Sequence, residues 1–110
     1  MYGAPVGTIV LASGTVGTGY LINQTNSTTG VTTQNPTRIF HITLVSATTG
    51  STLQVLNGQT GPVVLIVNGT SNRTVEADYG FHGHSFPNGA FIQADTNNVT
   101  TSIACRSDLL

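Results

Sequence analysis

Apolar and polar residues alternate over short stretches of this chain, and clusters of Gly, Asn, Ser and Pro interrupt them at intervals of roughly ten residues. Alternation with period two predicts strands with one buried face. The first predicted strand covers residues 7–12 (GTIVLA) and the second residues 15–22, across the Ser13-Gly14 turn signal. A polar stretch over 23–36 is the longest predicted loop, with Val31-Thr32-Thr33 as a candidate edge strand inside it.

Residues 38–46 (RIFHITLVS) form the clearest strand. Regular alternation would place Phe40, Ile42 and Leu44 on one face and Ile39, His41, Thr43 and Val45 on the other. A strand over 52–56 follows, then a turn over 57–62 rich in Gly and Asn. Residues 63–67 (VVLIV) are apolar on both faces, which predicts a central strand covered on each side. Asn68-Gly69 opens a turn into a strand over 73–78, read as a hairpin with the preceding strand. A last hairpin joins 89–94 to 99–105, with Val99, Thr101, Ile103 and Cys105 sharing one face. No helical period survives, because Gly or β-branched residues interrupt it throughout. The expected fold is all-β: an antiparallel two-sheet sandwich, jelly-roll or Greek-key-like, of about eight short strands. It forms a single domain over 1–110 with short N-terminal (1–6) and C-terminal (106–110) arms.

Composition narrows the function. The chain has three arginines, no lysine and four acids, for a net charge of -1. A typical domain is about a quarter charged. Phosphate backbones and anionic membranes select clustered cations, so neither nucleic acid nor a membrane is an expected partner. No apolar run approaches the ~20 residues of a membrane-spanning helix. The N-terminus lacks a basic n-region, so no secretion signal is expected in the chain as given. Disordered chains combine high net charge with few β-branched residues. Here eleven Val, seven Ile and nineteen Thr argue for a packed sheet instead. The single cysteine, Cys105, permits no internal disulfide and falls on a buried strand face.

Candidate chemistry is sparse. His82 and His84 would point to the same side of an extended strand and could reach one metal ion, with His41, Asp78 or a residue of a symmetry-related copy as a third ligand. Hydrogen-bonded loop histidines are the favoured reading of the pair. Glu76 and Asp78 share a strand face, but two carboxylates near Arg73 read as a solvated face rather than an acid/base pair or calcium site. The run Gly14–Gly19 has neither the lysine nor the following helix of a phosphate loop, and no Gly-x-Ser-x-Gly elbow is present. Asn-x-Ser/Thr triplets at Asn23, Asn26, Asn68, Asn72 and Asn98 are read as loop hydrogen-bonding residues. No enzymatic activity and no cofactor are expected.

The run 38–56, the Gly-rich turn, VVLIV and the stretch YGFHGHSFPNGAFIQADTNNVTTSIAC together resemble small β-sandwich structural proteins of tailed bacteriophages. The step Phe86-Pro87-Asn88-Gly89-Ala90-Phe91 resembles the phenylalanine-x-asparagine-glycine-hydrophobic step that leads into their last strand pair. The resemblance implies a capsid decoration, or cement, protein: a homotrimer on the capsid exterior that clamps adjacent major capsid protein subunits. It implies assembly in the bacterial host cytoplasm and location in the virion. The alternative is a receptor- or carbohydrate-binding module of a head fibre or tail, using the aromatic residues of segment 79–91. Either role needs an interface, and the candidates are Tyr2, Tyr79, Phe81, Phe86, Leu109 and Leu110.

Overall fold

The computed structural model describes residues 7–12, 19–22, 36–46, 50–95 and 99–107. Among them nine strands form: β1 (Gly7–Leu11), β2 (Tyr20–Leu21), β3 (Thr37–Ser46), β4 (Thr52–Asn57), β5 (Val63–Asn68), β6 (Thr74–Asp78), β7 (His84–Phe86), β8 (Ala90–Ala94) and β9 (Val99–Ser107). The expected segments at Tyr2, Ser13–Thr18, Val31–Thr33 and Asp108–Leu110 lie outside the described residues. So do Asn23, Asn26 and Asn98.

Two antiparallel sheets result. The first has the order β1-β9-β3-β6, with β7 also paired to β3, and the second has the order β2-β8-β4-β5. β6 covers His41–Val45 of β3, while β7 covers Thr37–Ile39 on the same side. Together β6 and β7 therefore act as one interrupted strand. With that pair counted once, successive strands alternate between the sheets except at β4–β5, which is the winding of an eight-stranded jelly roll.

This winding corrects both predicted hairpins. β5 and β6 lie in different sheets, as do β8 and β9, so each short connection crosses the sandwich instead of folding a strand back on its neighbour. Turn residues mark where a chain bends, but not whether the next strand pairs in the same sheet. The β4–β5 hairpin is real, and its tip is anchored sideways. Gly58 N donates to Gly89 O at 2.7 Å, and Asn88 N donates to Asn57 Oδ1 at 2.9 Å.

The core lies between the sheets. Ile39, Ile42 and Leu44 of β3 meet Leu53 and Val55 of β4, Ile92 of β8 and Ile103 of β9. On β9 the predicted face is the buried one: Val99, Thr101, Ile103 and Cys105 all point inward. On β3 the alternation breaks. Ile39 pairs with Cys105 and His41 with Ala104, so Phe40 is an extra residue in a β-bulge. Ile39, Ile42 and Leu44 are consequently inside, while Phe40 and His41 are less buried. The expected facing of Phe40 and Ile39 is thereby reversed.

The VVLIV segment also differs from expectation. β5 is the edge of the second sheet among the described residues, not a central strand. Leu65 and Val67 face the core, but Val63, Val64 and Ile66 are solvent-exposed, Ile66 at 57%. A doubly apolar run signals two covered faces only if something covers the second. Within the monomer nothing described does.

Candidate functional site

The segment between β6 and β7 is built on the β3 bulge. Where β6 ends, Tyr79 N donates to Phe40 O at 2.9 Å, and Asp78 Oδ1 accepts from Gly80 N at 2.9 Å. The chain then turns tightly, with Gly83 N reaching Gly80 O at 3.3 Å, and re-enters pairing with β3 at His84. Gly83 has φ of 68°, a left-handed conformation that glycine adopts without steric cost. A Cβ there would stand 2.8 Å from both Ile39 O and the Phe40 ring. The sequence Tyr79-Gly80-Phe81-His82-Gly83 is therefore a fitted turn, and its tip carries Phe81 and His82 over the outer face of the first sheet.

That outer face has an unusual charge arrangement. Arg38 on β3 and Arg106 on β9 are direct cross-strand partners. Arg38 Nη1 donates to His82 O at 2.9 Å, which fastens the turn to the sheet. The Arg106 guanidinium lies 5.5 Å from the centre of the Phe40 ring, a cation–π contact. Arg38, Phe40, Phe81, His82 and Arg106 line an open pocket of about 510 Å³. Phe81 is 94% exposed and lies in a T-shaped contact with the His82 ring, at 5.8 Å between centroids. Two of the chain's three cations thus converge at one place, beside two aromatic rings.

The structure sorts the candidate residues. Phe81 stands at the surface as an interface residue must. Phe86 does not: it is 0% exposed and belongs to the core, because its cross-strand partner Thr37 faces inward. This corrects its placement at an interface. Tyr79 is half-buried against the core, and burial raises its phenol above the ordinary value. Tyr2, Leu109 and Leu110 lie outside the described residues. β9 runs to Ser107, so Arg106 belongs to a strand rather than to a C-terminal arm.

His82 and His84 do not share a strand face. His82 lies in the turn above the outer surface, whereas His84 is on β7 opposite Ile39, facing the sandwich interior beside Phe86 at 5.2 Å between ring centroids. The left-handed Gly83 between them removes the two-residue periodicity on which a shared metal depended. His84 Nδ1 contacts Ser85 O at 3.2 Å, and His41 Nε2 donates to Glu76 Oε1 at 2.9 Å. Glu76 therefore serves a cross-strand bond and Asp78 the turn cap, in place of a paired-carboxylate site. Among the described residues no three His, Cys, Asp or Glu side chains group to hold a metal ion.

Sequence reasoning missed Arg38 and Arg106. They are 68 positions apart in the chain. Only the β3–β9 register makes them neighbours, and no local pattern signals it. A weaker clue was present, since three arginines in a chain without lysine are each conspicuous. Compared with family models, curated proteins and solved structures, the chain matches none.

Proposed function

We propose that this chain is a non-enzymatic virion structural protein, a capsid decoration protein that assembles as a homotrimer and clamps adjacent major capsid subunits. The observation that carries the reading is the apolar edge of β5. Val63, Val64 and Ile66 are exposed on a strand with no further neighbour among the described residues, and no charged residue interrupts it. Stable monomers protect such edges with lysine, proline, bulges or a covering element. Here Pro62 precedes the strand and the register shifts between Val55 and Leu56, which leaves Val64 as an extra residue, but Val63, Val64 and Ile66 remain exposed to water. Each of these side chains is already about half-buried, so covering the rest is worth about 1 kcal/mol apiece, and a protein partner is a physical outlet for them.

A cement protein works by burying surface across several subunits, and a rigid sandwich with a sticky edge meets that need. The resemblance of the 38–105 region to phage β-sandwich proteins supplies the biological setting. Jelly rolls serve both capsid and lectin roles, so the fold alone does not choose between them.

The test uses purified chain and phage shells lacking it. Sedimentation should find a trimer at micromolar concentration, and the chain should co-sediment with the shells. Val64→Lys with Ile66→Lys should abolish shell binding while leaving the circular dichroism spectrum intact. A monomer that ignores the shells would overturn the proposal, as would wild-type binding by the double variant.

A further inference from the structure

We infer that Asn88 is a site of spontaneous chemical modification, at which attack by the Gly89 backbone nitrogen and then by water converts the side-chain amide to a carboxylate. This inference is independent of the assembly proposal.

The chain holds three Asn-Gly steps: Asn57-Gly58, Asn68-Gly69 and Asn88-Gly89. At such a step the glycine nitrogen can reach the Asn Cγ, because no Cβ on the glycine stands in the way. The N–Cγ bond forms and the Cγ–Nδ2 bond breaks. The side-chain nitrogen leaves as ammonia, carrying the proton that was on the glycine nitrogen. Water then opens the cyclic imide at either carbonyl, its hydroxyl going to the carbonyl carbon and its proton to the nitrogen. One product is an aspartate. The other is its iso form, in which the backbone runs through the side-chain carbonyl. The sequence consumes only water and needs no oxidant.

Folding restrains this reaction where the glycine N–H is bonded and the Asn amide is held. All three glycine nitrogens are donors: Gly58 N to Gly89 O at 2.7 Å, Gly69 N to Ser51 O at 2.6 Å and Gly89 N to Phe86 O at 3.0 Å. The side chains differ. Asn57 Oδ1 accepts from Asn88 N at 2.9 Å, and Asn68 Oδ1 accepts from Thr52 Oγ1 at 3.3 Å. Asn88 is exposed, and among the described residues its side chain has no hydrogen-bond partner. Gly58 and Gly69 also donate to residues remote in the chain, whereas Gly89 donates across its own turn. Reaction at Asn57 or Asn68 therefore needs one more bond to open. At Asn88 the opening is local and separates no strands.

The position gives the change a consequence. Asn57-Gly58 and Asn88-Gly89 clasp one another, tying the tip of the β4–β5 hairpin to the β7–β8 turn. The iso form adds one carbon to the backbone between Asn88 N and Gly89 O, so the two bonds of the clasp lose their common spacing. The new carboxylate also stands beside a sheet whose strands β2, β4, β5 and β8 contain no charged residue.

The full chain, aged folded in mildly alkaline buffer, is mapped by mass spectrometry for amide-to-acid conversion and by isoaspartyl methyltransferase labelling. Asn88 should convert at least about fivefold faster than Asn57 and Asn68, the factor that one further hydrogen bond of ordinary strength supplies. In guanidinium chloride the three should convert at similar rates, since the restraint is gone. Hydrogen exchange at the Gly58 amide should quicken in aged chain bearing the iso form. It should stay slow in Asn88→Gln aged alongside, because the longer side chain closes a ring far less readily while the backbone bond to Asn57 remains. The rate comparison needs no variant, so it stands if Asn88→Gln misfolds. The inference is overturned if Asn57 or Asn68 converts as fast as Asn88 in the folded chain. It is equally overturned if Asn88 stays intact while the unfolded chain converts, or if Gly58 exchange is the same in aged parent and variant.

Discussion

Arg38 and Arg106 stand directly opposite one another on β3 and β9, two of the three cations of the chain in one cross-strand pair. Like charges directly opposite one another on a sheet are destabilising. The Arg106–Phe40 contact returns about 0.5–1 kcal/mol at an exposed site. Arg106→Gln removes this contact and should lower the stability measured in urea by about 0.5–1 kcal/mol. A variant as stable as the parent would show that the contact does nothing for the fold.

Phe81 and Phe86 lie five residues apart and should behave oppositely. Phe86 is fully enclosed, so Phe86→Ala leaves a cavity and should cost about 3–5 kcal/mol. That is a large share of the 5–15 kcal/mol that stabilises a typical domain. Phe81→Ala removes a ring that is 94% exposed and should change stability by no more than about 0.5 kcal/mol. Thermal melts of both variants check the contrast, and similar losses in the two would contradict the core placement of Phe86.

Thr101 faces the core from β9 and its hydroxyl has no hydrogen-bond partner among the described residues. Burying a hydroxyl unpaired costs about 1–3 kcal/mol. Thr101→Val keeps the shape and β-branching while removing the polar atom, and should stabilise the fold by about 1 kcal/mol. Denaturant midpoints with unchanged slope would establish the gain. A destabilised variant would mean that the hydroxyl is satisfied by a group not yet identified.

Asp95 fastens the end of β8 to the start of β4. Its Oδ1 accepts from Ser51 Oγ and from Thr52 N, the latter at 2.9 Å, while Asp95 N donates to Thr52 O at 3.1 Å. The Ser51 hydroxyl and then the Thr52 amide hold its carboxyl below the usual range. A depressed folded-state value contributes stability that is present above the unfolded carboxylate value of about 3.9 and is lost as pH falls through the folded one. The Tm should accordingly drop on acidification below about pH 4, and Asp95→Asn should flatten that acid limb. Melting curves across this window decide it; an unchanged slope in the variant would place the acid sensitivity elsewhere.

Much of the fold was legible from alternation. The buried face of β9, the core position of Cys105 and the all-β class follow from residues two apart pointing the same way. On β3 the same rule failed at one residue. The Phe40 bulge moved Ile39 inside and left Phe40 and His41 outside it. A bulge is a mismatch in residue count between two paired strands, here β3 and β9, and β9 lies far along the chain, so β3 alone carries no trace of it. The pocket was illegible for a related reason. Its aromatic turn was conspicuous as a motif, but its arginines come from strands far apart in the chain.

By itself the sequence determined what local chemistry can determine: strands rather than helices, their approximate bounds, the turns between them and the scarcity of charge. Tertiary structure decided which strands pair. It converted two apparent hairpins into crossings of a jelly roll, turned VVLIV from a covered strand into an exposed edge, and separated His82 from His84. It also brought Arg38 to Arg106. Strand order and register are set by long-range burial of one face against another sheet, a property of the whole chain that no short window contains.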